Sequence, residues 1–292
     1  MTKYDGICNV TEVTPPNARS LVLDLLATMP PGTAMPVAAL VEAVAPFGIA
    51  GNALRVAVAR LAAAGHLVRD ERGRYLLGER SLPVRRRVRS WRDLARTRPW
   101  RGEWLGVLPA RALRSAQRQR EIALRLLGFA SFSPGLWLRP DNLAARAAEV
   151  RAELRALGLP DGDLVAGLRD LDDASERRAR GLWDTAALRR TYRRSLADLE
   201  ASAARLPGLA PERAMAESFL LGGRVIRELT LDPLLPDEIC PGDERRALVE
   251  RLREYDRAGR LVWAALMERW GLPFRRAPID ARAEGARAGA AG

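Results

Sequence analysis

The chain has 292 residues, and its 48% hydrophobic content is enough for the cores of two or three domains. No apolar run reaches the roughly 18 residues of a membrane-spanning helix, and the start MTKYDGICNV lacks the pattern of a signal peptide, so we expect a cytoplasmic protein. The formal net charge of +12 favours an anionic partner.

Three helices are predicted in the first 65 residues, around Arg19–Ala27, around Val37–Ala45 and from Asn52, which we expect to cap the third helix. The third helix has apolar residues at the i, i+3, i+4, i+7 spacing of one buried face. These residues are Leu54, Ala57, Val58 and Leu61. At about 100° per residue, its opposite face faces solvent. That face carries Asn52, Val56, Ala59 and Ala63 at its centre, with Arg55 and Arg60 on its flanks.

Gly65 suits the left-handed conformation that ends a helix, and the strand HLVR, the turn DERG and the strand RYLL follow as a hairpin. Three helices and a hairpin are the order of a winged helix-turn-helix, which we place at residues 15–80. An alanine-rich helix before a hairpin also occurs as ordinary packing.

If the region is a winged helix-turn-helix, its residue types suggest that different residues contact the bases and the DNA backbone. Asn52 and Arg55 suit contacts with bases, since Asn pairs with adenine and Arg with guanine. Arg60 suits a phosphate contact, and Arg72 and Arg74 flank the wing turn, where they suit the backbone or the minor groove.

The charge is concentrated after this region. Residues 81–140 contain 14 basic and 3 acidic residues, against 8 and 7 in residues 1–80 and 26 and 26 in residues 141–292. We expect a basic linker at 81–90, with RRRVR beginning at Arg85. The excess charge suits either the DNA backbone or the phosphates of a coenzyme A thioester, and the sequence leaves both open.

The segment 91–172 has the element order βαββαβ of a ferredoxin-like domain. Its strands are RGEWLGVLP, FASF, GLWLRP and DLVAGLRD. One helix is expected over Arg111–Leu127, with Leu113 on its apolar face and Gly128 at its end, and the other from a cap at Asp141 to about Leu157.

A helical C-terminal domain is expected at residues 173–274, with a disordered tail at 275–292. From Trp183 onward the periodicity predicts three helices, separated by the proline-containing segments LPGLAP and TLDPLLPDEICPGD. The fold class is therefore α+β, with a winged helix-turn-helix, a central α/β sandwich and a helical C-terminal domain.

Several segments together resemble the PaaX-like repressors of phenylacetic acid degradation operons. They are FGIAGNALRVAVARLAAAGHLVRDERGRYLLG, WRGEWLGVLP, LRLLGFASFSPGLWLRPDNL and LTLDPLLPDEICPG, which occur in the family's order. After the last of them the chain lacks the tryptophan that is common in the family.

The resemblance implies a transcriptional repressor that binds operator DNA as a homodimer and is released by an acyl-CoA such as phenylacetyl-CoA. It also implies that the central domain is similar to the CRISPR-associated Cas2 fold. Trp100, Trp104 and Trp137 are candidates for an aromatic acyl pocket, although tryptophans on strands are more often core residues. The sequence identifies no effector-binding residue.

Little in the sequence suggests an enzyme or a bound metal. Cys8, Cys240 and His66 are the only cysteines and the only histidine, so we expect neither a zinc site nor a cofactor. Cas2-like folds can host metal-dependent nucleases, but Glu103 is the only carboxylate on the first strand of the central domain. The alternatives to an effector-released repressor are such a nuclease and a DNA-binding regulator without a small-molecule effector.

Overall fold

Residues 17–30, 32–81 and 97–273 are described by the structure, a computed structural model. Residues 82–90 of the basic linker predicted at 81–90, the tail at 275–292 and Cys8 lie outside these residues. The described chain groups into two units. Unit 1 comprises residues 17–81, 197–227 and 250–273, and unit 2 comprises residues 97–196 and 228–249.

Unit 1 begins with three short helices, α1 (Ala18–Thr28), α2 (Val37–Val44) and α3 (Gly51–Ala63). Asn17 caps α1, because its side-chain oxygen accepts a hydrogen bond from the backbone N–H of Ser20 at 2.9 Å. A two-stranded antiparallel hairpin follows, formed by β1 (Leu67–Arg69) and β2 (Tyr75–Leu77). Met35 exchanges two backbone hydrogen bonds with Tyr75 at 2.8 Å, which ties the segment before α2 to the hairpin.

The start of α3 differs from the prediction. The N-cap is Ala50, and Asn52 lies inside the first turn, so Asn52 does not cap the helix. The chain is extended at Ala50, with φ −64° and ψ 138°, and becomes helical at the next residue, so the helix begins before Asn52 and has no side-chain cap. The end of α3 is as predicted, since Gly65 has a φ of 72°.

Unit 2 contains a four-stranded antiparallel sheet with the strand order β4-β5-β3-β6. Its elements follow one another as β3 (Trp104–Leu108), α4 (Arg114–Leu126), β4 (Ala130–Ser133), β5 (Leu136–Pro140), α5 (Ala147–Ala156) and β6 (Leu164–Leu168). This is the order predicted from the sequence, and β3 is paired on both sides.

Two local predictions in unit 2 are wrong, and one short helix was not predicted. Asp141 does not cap α5, which begins after Arg146; the Asp141 carboxylate instead pairs with Arg98 at 2.9 Å. Leu113 precedes α4 and is 80% exposed rather than packed on its apolar face. A further helix, α6 (Asp173–Arg180), was not expected; it is capped by Asp172, which accepts from the N–H of Ser175 at 2.8 Å.

The three predicted C-terminal helices are present as α7 (Thr185–Arg205), α8 (Pro211–Thr230) and α9 (Asp243–Arg269), and each contributes residues to both units. The α+β class with antiparallel sheets and a helical C-terminal region is confirmed. No helix in the described ranges is both long and apolar enough to cross a membrane.

Candidate nucleic-acid interface

Helix α3 has one buried face and one solvent-facing face. Leu54, Val58 and Leu61 are 0–2% exposed and belong to the core of unit 1. The opposite face carries the polar, cationic and small residues expected there, and all of them are exposed: Asn52, Arg55, Val56, Ala59, Arg60 and Ala63. The periodicity therefore assigns the two faces correctly, except that Ala57, expected to be buried, is only half-buried.

Asn52 and Arg55 lie side by side at the start of this exposed face. They are three residues apart on the helix, and Nη1 of Arg55 is 3.4 Å from Oδ1 of Asn52. A contact of this length at the surface is weak, so both side chains remain free to pair with another partner. Arg60 lies about one and a half turns further along, on the other flank of the face.

The hairpin turn presents the remaining predicted residues. Arg72 is exposed at the tip of the turn. Arg74 is partly exposed, and its Nε lies 2.8 Å from Oδ2 of Asp70. The structure thus places both hairpin arginines at the surface and engages one of them, Arg74, with a carboxylate of the same turn.

Two exposed residues of this surface were not singled out from the sequence. Val56 is 50% exposed at the centre of the α3 face, where the helical periodicity places it without indicating a role. Arg69 is exposed on β1, and its Nη2 lies 3.0 Å from the position that a Cβ on Gly73 would occupy. The alternating pattern of β1 predicts that Val68 and Arg69 are not both buried. It does not predict that the guanidinium of Arg69 lies next to Gly73 of the turn.

The helices and hairpin share their core with residues far away in the sequence. Trp263, Leu266 and Met267 of α9 are buried in the same cluster as the apolar faces of α1, α2 and α3. Phe219 of α8 packs edge-on against Phe47, with ring centroids 5.5 Å apart. The α3 face is therefore held by the C-terminal helices of unit 1 as well as by its sequence neighbours.

A polar contact reinforces this support. Glu42 on α2 accepts hydrogen bonds from Arg269 and, at 2.6 Å, from Nε1 of Trp270. These residues immediately follow the buried segment of α9, so the carboxylate ties the end of that helix to α2.

His66, at the base of the hairpin, is 5% exposed. Its Nδ1 lies 3.3 Å from the hydroxyl of Ser81. Burial, followed by the positive charges of Arg19 and Arg80, lowers the pKa of His66 below its ordinary value, so the ring is neutral at neutral pH.

The three tryptophans considered for an acyl pocket do not come together. Trp100 and Trp104 are buried, with their rings edge-to-face at 5.2 Å. Trp137 pairs with Val107 across the sheet, and Val107 is an odd number of residues from Trp104, so Trp137 points to the opposite sheet face. The parallel partner of Trp104 is Trp183, at a centroid distance of 6.3 Å.

The carboxylate considered for nuclease chemistry is already engaged. Oε1 of Glu103 lies 3.1 Å from Nη2 of Arg169. Within the ranges 17–30, 32–81 and 97–273, no group of three or more histidine, cysteine, aspartate or glutamate residues is arranged to hold a metal ion.

Comparison with known proteins shows what this part of the chain is similar to. Residues 17–81 match the family described as PaaX-like protein, which confirms the resemblance over the three helices and the hairpin. The chain is also similar to the solved structure of the uncharacterized protein Rv0674 from Mycobacterium tuberculosis, with 28% identity and a TM-score of 0.56 over 86% of this chain and 99% of that chain. No curated protein matches the chain.

Proposed function

We propose that this chain, whose residues 17–81 match the PaaX-like family, is a DNA-binding transcriptional regulator. In its specific form the proposal is a homodimeric repressor of an aromatic-acid catabolic operon of the phenylacetate type, released by an acyl-CoA thioester. The observation that carries the proposal is the exposed α3 face, on which Asn52, Arg55 and Arg60 project beside a hairpin with three further arginines.

The arrangement supports a winged helix-turn-helix that inserts α3 into the major groove. There, Arg55 bridges O6 and N7 of a guanine and Asn52 pairs with an adenine, each good pair contributing roughly 1–3 kcal/mol of discrimination. Releasing the 3.4 Å contact between these two side chains costs little, because it is long and exposed to water.

The outer residues supply affinity in this proposal. Arg60 contacts a phosphate from the flank of α3, and Arg72 and Arg74 approach the backbone or the minor groove from the hairpin. A phosphate contact carries no base information, so these three arginines strengthen binding to all sequences alike.

In this proposal unit 2 is a ferredoxin-like, Cas2-like domain. The support for this is its order of strands in the sheet and its order of elements along the chain, which are those of a split βαβ sandwich. In a homodimer each α3 helix enters a major groove, so we expect a palindromic operator whose two half-sites are about one helical turn, or a multiple of it, apart. The family resemblance is the basis for the dimer, the acyl-CoA effector and a cytoplasmic location.

A mobility-shift titration tests the proposal. The purified chain is added to DNA from upstream of its own gene, alone and with free CoA or with aromatic and aliphatic acyl-CoA thioesters. We expect a specific complex that an aromatic acyl-CoA dissociates and free CoA does not. A specific complex that no thioester changes favours a regulator without an effector, and no specific complex on this DNA or in selection from random duplexes contradicts the proposal.

The same DNA tests the nuclease alternative. Labelled duplex is incubated with the chain and Mg²⁺ or Mn²⁺, and we expect no cleavage. Metal-dependent cutting that Glu103→Ala abolishes would establish the enzyme instead.

A further inference from the structure

The hairpin turn between β1 and β2 is organised around one carboxylate. Oδ1 of Asp70 accepts backbone N–H groups from Arg72 at 3.0 Å and from Arg74 at 2.7 Å. Oδ2 of Asp70 accepts Nε–H of Arg74 at 2.8 Å. One side chain therefore holds two backbone donors and one guanidinium within a five-residue turn.

The backbone closes the same turn. The N–H of Asp70 donates to the carbonyl of Arg74 at 2.8 Å, and the N–H of Gly73 donates to the carbonyl of Asp70 at 3.0 Å. Gly73 has a φ of 75°, which a residue with a side chain adopts only at a cost. Because backbone bonds close the ends of the turn, Asp70 serves mainly to orient its tip.

We propose that Asp70 is the positioning residue of the DNA-binding wing: it fixes the tip that presents Arg72 and holds Arg74 by Nε, leaving the terminal nitrogens of Arg74 for a DNA phosphate. This inference rests on the proposed function, and it assigns to an acidic residue a favourable role at an anionic partner. Fixing the turn before binding lowers the conformational entropy that the complex loses.

The ionisation state of Asp70 agrees with this role. Partial desolvation raises the pKa of its carboxyl, but the hydrogen bonds from Arg74 and Arg72 and the charge of Arg74 outweigh that effect and hold the pKa below its ordinary value. The carboxylate is thus ionised wherever the protein binds DNA at neutral pH.

Glu71 provides a matched control. It is adjacent in sequence, equally negative and exposed, and it forms no hydrogen bond or ion pair with another residue of the described chain. Simple charge repulsion predicts that removing either carboxylate strengthens DNA binding. The positioning role predicts instead that removing the Asp70 carboxylate weakens DNA binding, whereas removing the Glu71 carboxylate leaves it equal or strengthens it.

The experiment measures affinity by fluorescence anisotropy over a series of salt concentrations. The full-length chain binds a duplex from upstream of its own gene and a random-sequence duplex of the same length. We expect Asp70→Ala to weaken binding to both duplexes about three- to tenfold, and to flatten the slope of log K against log salt by about 0.9, the value for one phosphate contact. We expect Glu71→Ala to leave binding equal or tighter, with the slope retained.

Equal shifts in the same direction for Asp70→Ala and Glu71→Ala would overturn the inference. Thermal unfolding of each variant checks the fold. If Asp70→Ala does not fold, Asp70→Asn replaces it, because the amide keeps an acceptor oxygen but loses the charge; binding at or above the wild-type affinity then overturns the inference. Wild-type protein that binds neither duplex contradicts the proposed function itself, which separates the two failures.

Discussion

Arginines at two places in the molecule have opposite roles: those buried in unit 2 and those on the exposed face of α3 in unit 1. In unit 2, Arg120 and Arg139 are 8% and 1% exposed, and their guanidinium groups are used internally. Arg120 holds Asp163 through Nε and Nη2 at 2.5 and 2.8 Å, while Arg139 donates to the carbonyls of Pro140 and Leu127. In unit 1, Arg55 and Arg60 project from α3 without an ion pair to any described residue.

The difference shows that a local excess of basic residues does not by itself mark a binding surface. Eight of the 14 basic residues in 81–140 lie in the described part of that segment. Four of these eight are engaged with acceptors inside unit 2: Arg98, Arg120, Arg125 and Arg139. The segment with the largest net charge therefore uses much of it for its own fold, whereas Arg55, Arg60 and Arg72 of unit 1 form no ion pair with a described residue.

The largest effect is expected where arginine is internal. Arg120→Ala leaves Asp163, whose side chain is fully buried, without its main partner, and removing one member of a buried ion pair costs roughly 3–5 kcal/mol. The carbonyl of Ala110 also loses the 2.7 Å hydrogen bond from Nη2. Chemical denaturation should show this loss of unfolding free energy.

Arg118→Ala is the control for that variant. Arg118 lies on the same helix, α4, but is exposed, and substitutions at such positions usually change stability by less than about 0.5 kcal/mol. If the two variants unfold alike, the arginines of unit 2 are not structural and the contrast between the units disappears.

The next effect concerns the buried side of α3. Leu54 is fully buried, so Leu54→Ala is expected to destabilise the protein by roughly 2–5 kcal/mol. Arg55→Ala, one residue away, is expected to change stability by less than about 0.5 kcal/mol because the side chain is exposed. Thermal unfolding of both variants would contradict the assignment of the faces if it showed equal losses.

Much of this architecture was predictable because it depends on local patterns. The spacing of Leu54, Val58 and Leu61 gave the buried face of α3, and the left-handed glycines Gly65 and Gly128 mark the ends of helices where expected. The chain order of the helices and strands of unit 2 follows from periodicity. The three C-terminal helices follow from periodicity and from the prolines that separate them.

The errors arose where a distant contact decides the local structure. Asp141 has the residue type of a helix cap, but Arg98 provides an ion pair that no local pattern shows. Trp263 has the spacing of a helical core residue, yet nothing in the sequence indicates that its cluster includes α1, α2 and α3. Asp70, by contrast, lies in the turn predicted at DERG, and its bonds to Arg72 and Arg74 are local, but the composition of the turn does not show them.

A smaller effect than unfolding is expected for DNA recognition by the free arginines. Arg55→Ala should weaken binding to the specific duplex by roughly 1–3 kcal/mol and relax selectivity at one base position. Arg60→Ala, which removes a phosphate contact in the proposal, should weaken specific and random duplexes by the same factor. Anisotropy titrations against single-base variants of the site measure both effects, and uniform loss in both variants would remove Arg55 from the base-reading residues.

The smallest expected effect comes from Val56, the exposed apolar residue at the centre of the α3 face. An apolar side chain at that position can pack against the methyl group of thymine in the major groove. Replacing the contacted thymine by deoxyuridine removes only this methyl, and losing one buried methyl-sized group costs about 0.8 kcal/mol, or roughly fourfold in affinity. Val56→Ala should bind the two duplexes equally.

Val68→Ala is the matched control, since Val68 is also 50% exposed but lies on the hairpin, and it should keep the preference for thymine. If every thymine of the site tolerates deoxyuridine in the wild-type protein, only the polar and cationic residues of the α3 face read the bases.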